Sequence, residues 1–338
     1  MTQLLPERAH RHTSGAQCPS GRGILMAASR DPDAKLTFIA CDDGDRERLS
    51  VKIPTTRAAA GAVELEGRML VELHRLPLGP LARTVPRYVR SATRDGLPVL
   101  VSTALPGRPM SVAYHSFHHT ARPVSVRSDL RLAAGWLAAL QAATARGTAP
   151  ISWADEVTEA LSGRWDGHPG LDAALTRMRV AQAHLTGHRT VTTVVHGDYW
   201  FGNILVRDEA VSGVVDWEAG SPSGSPLRDL ARFVLSYSLY LDRHTRPGRH
   251  VPGHPGLRRQ GFGAGVAYAL LGTGWFPQEA RRFLGDGLQR LGLPRWLWYD
   301  VALTGVGEVA ASANDDDFGA GHLALLASLP CRARGRRP

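Results

Sequence analysis

The stretch VVHGDYWFGNILVRDEAVSGVVDWEAG, residues 194–220, decides how this chain is read. A β-branched run, Val191–Val195, delivers His-Gly-Asp at 196–198. Asn203 opens a second apolar run, Ile204–Arg207, and a third, Gly213–Val215, ends at Asp216. Phosphoryl transfer needs a carboxylate to orient and deprotonate an attacking hydroxyl. It also needs oxygen ligands for the magnesium that neutralises the moving phosphate. A carboxylate and an amide on one tight loop, with a second carboxylate ending a neighbouring strand, supply those groups, and the strands supply rigidity. A lone His-x-Asp is usually turn chemistry. Four specified residues (His196, Asp198, Asn203 and Asp216) spaced between apolar strands point instead to a site.

Upstream, three short apolar runs predict strands at Ile24–Ala28, Leu36–Cys41 and Leu49–Ile53, separated by the turn-rich segments SRDPDAK and DDGDRER. A helical pattern follows from about Arg57 to Leu76, with apolar residues at Val63, Leu65, Met69, Leu70 and Leu73. Leu97–Ser102 reads as another strand, running into the turn LPGRP at 105–109. Helices are predicted at Leu130–Ala145, Gly170–Leu185, Leu227–Leu241, Gly263–Leu271, Pro277–Leu291 and Val301–Ala311. The pattern is α+β: a small antiparallel β-rich lobe, residues 21–103, precedes a larger helical lobe, residues 104–330. Residues 1–20 read as a poorly ordered leader and 331–338 as a basic tail.

The central block resembles the catalytic loop and metal-binding segment of the aminoglycoside phosphotransferase family, the small-molecule branch of the protein-kinase-like fold. That family carries HGDxxxxN where protein kinases carry HRDxxxxN, and often DWE or DFE where they carry DFG. Here the matching residues are HGDYWFGN at 196–203 and DWE at 216–218. The resemblance implies a bilobal kinase-like fold, Asp198 as catalytic base, Asn203 and Asp216 as Mg2+ ligands, and His196 as a loop brace. In SPLRDLARF, 225–233, it implies that Asp229 accepts hydrogen bonds from the catalytic-loop backbone.

A kinase-like small lobe needs a strand lysine for the phosphates of ATP or GTP, paired with a helix glutamate. Lys52 sits in the third strand, LSVKIP. The chain contains 40 Lys and Arg residues, of which only Lys35 and Lys52 are lysine. A lysine inside an apolar strand of so arginine-rich a chain is a chemical choice, because an ammonium and a guanidinium bind differently. Glu66 is its expected partner, ahead of Glu64. The segment 99–110 resembles the family's hinge, which implies purine contacts from the backbone near Ser102–Ala104. The turn at 29–35 has no glycine, so phosphate donors there would come from backbone amides or from Ser29, Arg30 or Lys35.

Composition narrows the rest. The chain has 338 residues, a net charge of +9 and 3 scattered cysteines. The cysteines support neither a disulfide framework nor a cysteine zinc site, and a reducing cytoplasm suits them. No apolar stretch is long enough for a membrane span. The arginines are dispersed, so no nucleic-acid partner is expected. From Trp217 onward, ten acidic residues face fifteen arginines. A polycationic acceptor wants carboxylates, so a neutral or anionic hydroxylated small molecule is expected: a sugar, a nucleoside or another antibiotic-like natural product. A choline- or sugar-kinase-like metabolic role and a catalytically silent regulatory module are the alternatives. Asp315–Asp317 reads as a helix terminus or solvated loop. His115, His118 and His119 read as polar lid residues rather than a zinc site. Trp275, Trp296 and Trp298 read as core, with substrate stacking as the other option.

Overall fold

A computed structural model describes residues 23–28, 34–41 and 47–331. The leader 1–20, the turn residues Ser29 to Asp33 and the basic tail beyond Cys331 lie outside the described residues.

The first lobe is a five-stranded antiparallel sheet built from β1 (Gly23–Ala28), β2 (Lys35–Cys41), β3 (Glu47–Pro54), β4 (Tyr88–Arg94) and β5 (Leu97–Thr103). Its order is β1-β2-β3-β5-β4. β3 is therefore central, with Lys52 opposite Thr37 of β2 and Leu100 of β5. One helix, α1 (Arg57–His74), connects β3 to the β4–β5 hairpin and packs on the sheet. Thr56 caps it by accepting a hydrogen bond from the Ala59 amide at 3.1 Å. Its inward stripe is Val63, Glu66, Met69, Leu70 and Leu73, helical spacing with one carboxylate among the apolar side chains. Within this lobe, β4 is a strand that the sequence pattern does not mark. All seven of its residues are exposed, so no apolar alternation marks it. Its turn, Asp95-Gly96, has φ of 51° and 76°, the hairpin geometry that Asp-Gly favours.

The second lobe is mostly helical. Pro123–Thr144 and Leu227–Leu239 flank a short-stranded catalytic segment, in which Arg189–Val195 leads to residues 196–203 and Ile204–Arg207 pairs with Ala210–Val214. Trp153–Arg164 and Asp316–Ser328 are further helices beyond those expected. Asp315 caps the latter, accepting from the Phe318 amide at 2.7 Å, which makes the acidic run a helix terminus. Tyr199, Phe201, Trp217, Phe233 and Tyr237 are almost wholly buried around the catalytic segment. Burying each such ring contributes about 2–3 kcal/mol, so the loop rests on a rigid floor. Among the described residues, no helix is long and apolar enough to cross a membrane.

Candidate active site

The cleft between the lobes gathers residues far apart in sequence. Lys52 Nζ donates to Glu66 Oε1 and Oε2 at 2.7 and 2.6 Å, and to Asp216 Oδ1 at 2.7 Å. Glu66 is 2% exposed, whereas Glu64 is exposed and forms an ion pair with Arg68. Of the two candidate glutamates, Glu66 is the one at Lys52. Burial alone would lower the Lys52 pKa, but the Asp216 and Glu66 carboxylates outweigh it and hold the ammonium above its ordinary range. For Asp216, burial is again opposed, here by the charges of Lys52 and Lys35, and the carboxyl is held down at about 2. Asp216 therefore stays a carboxylate at any physiological pH. Its backbone is left-handed, φ 70° and ψ 62°, a conformation that Asp tolerates and that turns the chain sharply from strand into the short turn at Trp217.

On the helical-lobe side, both oxygens of Asp198 are engaged. Arg232, on the helix Leu227–Leu239, donates Nε and Nη2 to Oδ1 at 2.9 and 2.6 Å. Asn203 Nδ2 donates to Asp198 Oδ2 at 3.1 Å and to the Asp198 carbonyl at 3.0 Å. Both amide hydrogens of Asn203 are thereby used, and its side-chain oxygen remains as an acceptor. A carboxylate oxygen has two lone pairs. Arg232 fills those of Oδ1, so Oδ2 keeps one position for an incoming hydroxyl. Arg232 was invisible in the sequence, being one arginine among many.

The loop is braced from both sides. Asp229 accepts from the His196 amide at 2.8 Å and the Gly197 amide at 2.9 Å. Its burial pushes the carboxyl up to about 7 despite those two donors. His196 is fully buried against Trp217 and donates Nε2–H to the Val215 carbonyl at 2.9 Å, while its Nδ1 faces the Asp198 amide at 3.3 Å. The Val215 amide donates to the Asn203 carbonyl at 3.0 Å. His196 and Asn203 thus tie the segment holding Asp198 to the one holding Asp216. Gly197 has φ 79°, and a Cβ there would lie 2.0 Å from the Ala219 carbonyl oxygen, so only glycine admits this approach. Ser102 is buried within β5, opposite Ser50 and Tyr88, and Ala104 follows the last ladder pair, Leu49 with Thr103.

The model of the phosphotransferase enzyme family matches residues 36–258, about two thirds of the sequence. The chain belongs to the phosphotransferase enzyme family. No curated protein matches it. Among solved structures, the aminoglycoside phosphotransferase APH(4)-Ia shares 14% identity at a TM-score of 0.55, covering 90% of this chain and 93% of that one. The ADP-bound aminoglycoside phosphotransferase APH(2'')-Ib shares 14% identity at 0.51, with 91% and 92% covered. The macrolide 2'-phosphotransferase MphH from Brachybacterium faecium shares 16% identity at 0.50, with 92% and 93% covered. At such identities the likeness establishes the kinase-like fold of this phosphotransferase.

Beyond the catalytic loop a cavity of about 390 Å³ opens at the end of the Arg232 helix, walled by Tyr240, Phe262 and Phe318 with Asp242, Arg243 and Arg259. Tyr240 lies 6.3 Å ring to ring from Trp200 and 5.9 Å from Phe201, two residues of the catalytic loop. Tyr240 caps the helix eight positions beyond Arg232, a rise of roughly 12 Å. The three tryptophans expected as core or stacking groups do not line this cavity. Trp298 is buried, Trp275 donates to the Gly253 carbonyl, and Trp296 is half exposed. The histidines also separate: His115 meets His244 at 3.1 Å, and His119 meets Asp129 at 2.7 Å, a carboxylate that the sequence reading had not placed there. Among the described residues, the one acidic or histidine group compact enough for a metal is Glu66, Asp216 and Glu218.

Proposed function

We propose that this phosphotransferase moves the γ-phosphate of ATP or GTP to a hydroxyl of an antibiotic-like natural product, neutral or anionic rather than polycationic. The observation that carries the reading is the meeting of Lys52, Glu66 and Asp216 in the cleft that also holds Asp198 and Asn203. Solved relatives of this fold with bound nucleotide, such as APH(2'')-Ib with ADP, support a nucleotide donor.

In this reading Asp198 is the catalytic base. An acceptor hydroxyl docks on the remaining lone pair of Oδ2 and gives up its proton there as its oxygen bonds to the γ-phosphorus. The bond from that phosphorus to the bridging oxygen breaks, and the nucleoside diphosphate leaves with the electron pair. Lys52, oriented by Glu66, holds the phosphates. Ala104, just past the last ladder pair of β5, presents backbone to the purine, while Ser102 lies within the sheet and supports that edge. Asn203 Oδ1 and the second oxygen of Asp216 are hard, anionic or carbonyl-type ligands, suited to Mg2+. Magnesium held by these two oxygens would supply charge neutralisation to the transferring phosphate. His196 and Asp229 fix the loop and touch neither substrate.

The cavity beside Tyr240 supports the acceptor class: aromatic walls for a ring face, and two guanidinium groups against one carboxylate. A resistance role follows if the acceptor is an antibiotic. The test is incubation with magnesium, ATP or GTP and a panel of neutral, anionic and polyaminated hydroxylated compounds, read by mass for an added phosphate. Transfer to polyaminated compounds alone would overturn the acceptor assignment.

A further inference from the structure

Both lysines of the chain converge on one three-residue segment. Lys52 pairs with Asp216, and Lys35 forms an ion pair with Glu218, the first and last residues of Asp-Trp-Glu. Register explains how Lys35 arrives there. Thr37 of β2 stands opposite Lys52 of β3, and opposed residues in an antiparallel pair share a face. Lys35 lies two residues from Thr37, so it emerges on the Lys52 face about 7 Å further along the strand. Thr55 pins the base of the preceding turn, its amide and hydroxyl both donating to the Ala34 carbonyl at 2.9 and 2.6 Å. Lys35 is thus aimed into the cleft, with its side chain 15% exposed, and its charge reaches Glu66 and Asp216 as well as Glu218.

Glu66, Asp216 and Glu218 bring three negative charges within a few ångströms of one another, and Lys52 cancels one. Magnesium at Asp216 would offset part of that charge, and Lys35 sets a fixed cation beside it. Protein kinases meet their phosphates with the backbone amides of a glycine-rich turn, whereas the turn at 29–35 contains no glycine.

We propose that Lys35 is a second phosphate-binding cation of this cleft: it exchanges Glu218 for the phosphates of the bound nucleotide, in place of a glycine-rich turn. The proposal rests on the nucleotide-binding reading above. No covalent step is involved; an ammonium exchanges one anionic partner for another.

The test is calorimetric binding of Mg·ATP, Mg·ADP and adenosine (with the guanine set in parallel) to the parent, Lys35→Met and Lys35→Arg. Lys35→Met is expected to weaken triphosphate binding about 10- to 100-fold, to leave adenosine affinity unchanged, and to be largely rescued by Lys35→Arg. Equal triphosphate affinity in Lys35→Met and parent overturns the proposal. So does a parallel loss of adenosine, which would mark the Lys35–Glu218 pair as a structural link only. If the parent itself binds neither nucleotide, the nucleotide-binding reading falls and this proposal with it, a result distinct from failure at Lys35 alone. Should Lys35→Met fail to fold, Lys35→Gln takes its place under the same criteria.

Discussion

Asp198 Oδ1 accepts two N–H groups from one guanidinium, so the orientation of the carboxylate depends on Arg232. Removing that fork frees the carboxylate to rotate without touching the nucleotide lobe. Arg232→Met is expected to lower kcat about 10- to 100-fold with nucleotide affinity unchanged, because misaligning a base costs rate rather than donor binding. Steady-state kinetics alongside calorimetry would show it, and a change confined to nucleotide KM would refute it. Lys52 carries a different burden, since its loss strands Glu66 and Asp216 as buried anions. Breaking a fully buried pair costs about 3–5 kcal/mol. Asp216 is one-third open to solvent, so Lys52→Met should destabilise by about 2–3 kcal/mol, measurable by urea unfolding. Lys52 was legible because the chain so seldom uses lysine, and Asp198, Asn203 and Asp216 because they punctuate apolar strands. Arg232 was not, because one arginine among many has no local signature and its partner lies 34 residues away.

At the scale of elements, the site is held by backbone geometry that short patterns only half reveal. The catalytic segment passes under Ala219 at Gly197, in a left-handed conformation. Gly197→Ala is expected to cost at least about 2 kcal/mol, from the positive φ and the clash together, and to reduce activity even in the folded fraction. A denaturation midpoint equal to the parent's would contradict this. Glu66 could be read because it stands four residues before the pair Leu70 and Leu73, the pattern that the family resemblance implies for this helix. β4 could not, because a strand exposed along its whole length has no alternation, and only the Asp95-Gly96 turn marked it. The helices Trp153–Arg164 and Asp316–Ser328 were missed for a related reason: their apolar faces are short, and packing against the helix Trp298–Ser312 stabilises them.

Across the whole molecule, the order of a β-rich lobe before a helical one followed from the pattern alone. The cavity beside Tyr240 did not, because its walls come from residues 239–263 and from Phe318, which only the tertiary fold brings together. The helical lobe also carries the acid sensitivity. Burial lowers His254, enclosed by Tyr268, Trp275 and Phe276, and His322, beside Phe262 and Phe318, each to about 4. Between that value and the ordinary 6.5 the unfolded chain binds the proton and the folded chain does not. The contribution of each histidine is therefore complete above pH 6.5 and falls as pH drops toward 4, by up to about 3 kcal/mol, while Asp229, raised to about 7, acts in the opposite sense over that range. Melting temperature from pH 7.5 to 5 should decline less in His254→Phe than in the parent; identical slopes would rule out this origin. The central claim, that Asp198 takes the acceptor's proton, is tested most directly by single-turnover phosphate transfer with parent and Asp198→Asn. The expected result is a rate lower by about 10²- to 10⁴-fold in Asp198→Asn with nucleotide affinity retained. Transfer at the parental rate would contradict the account.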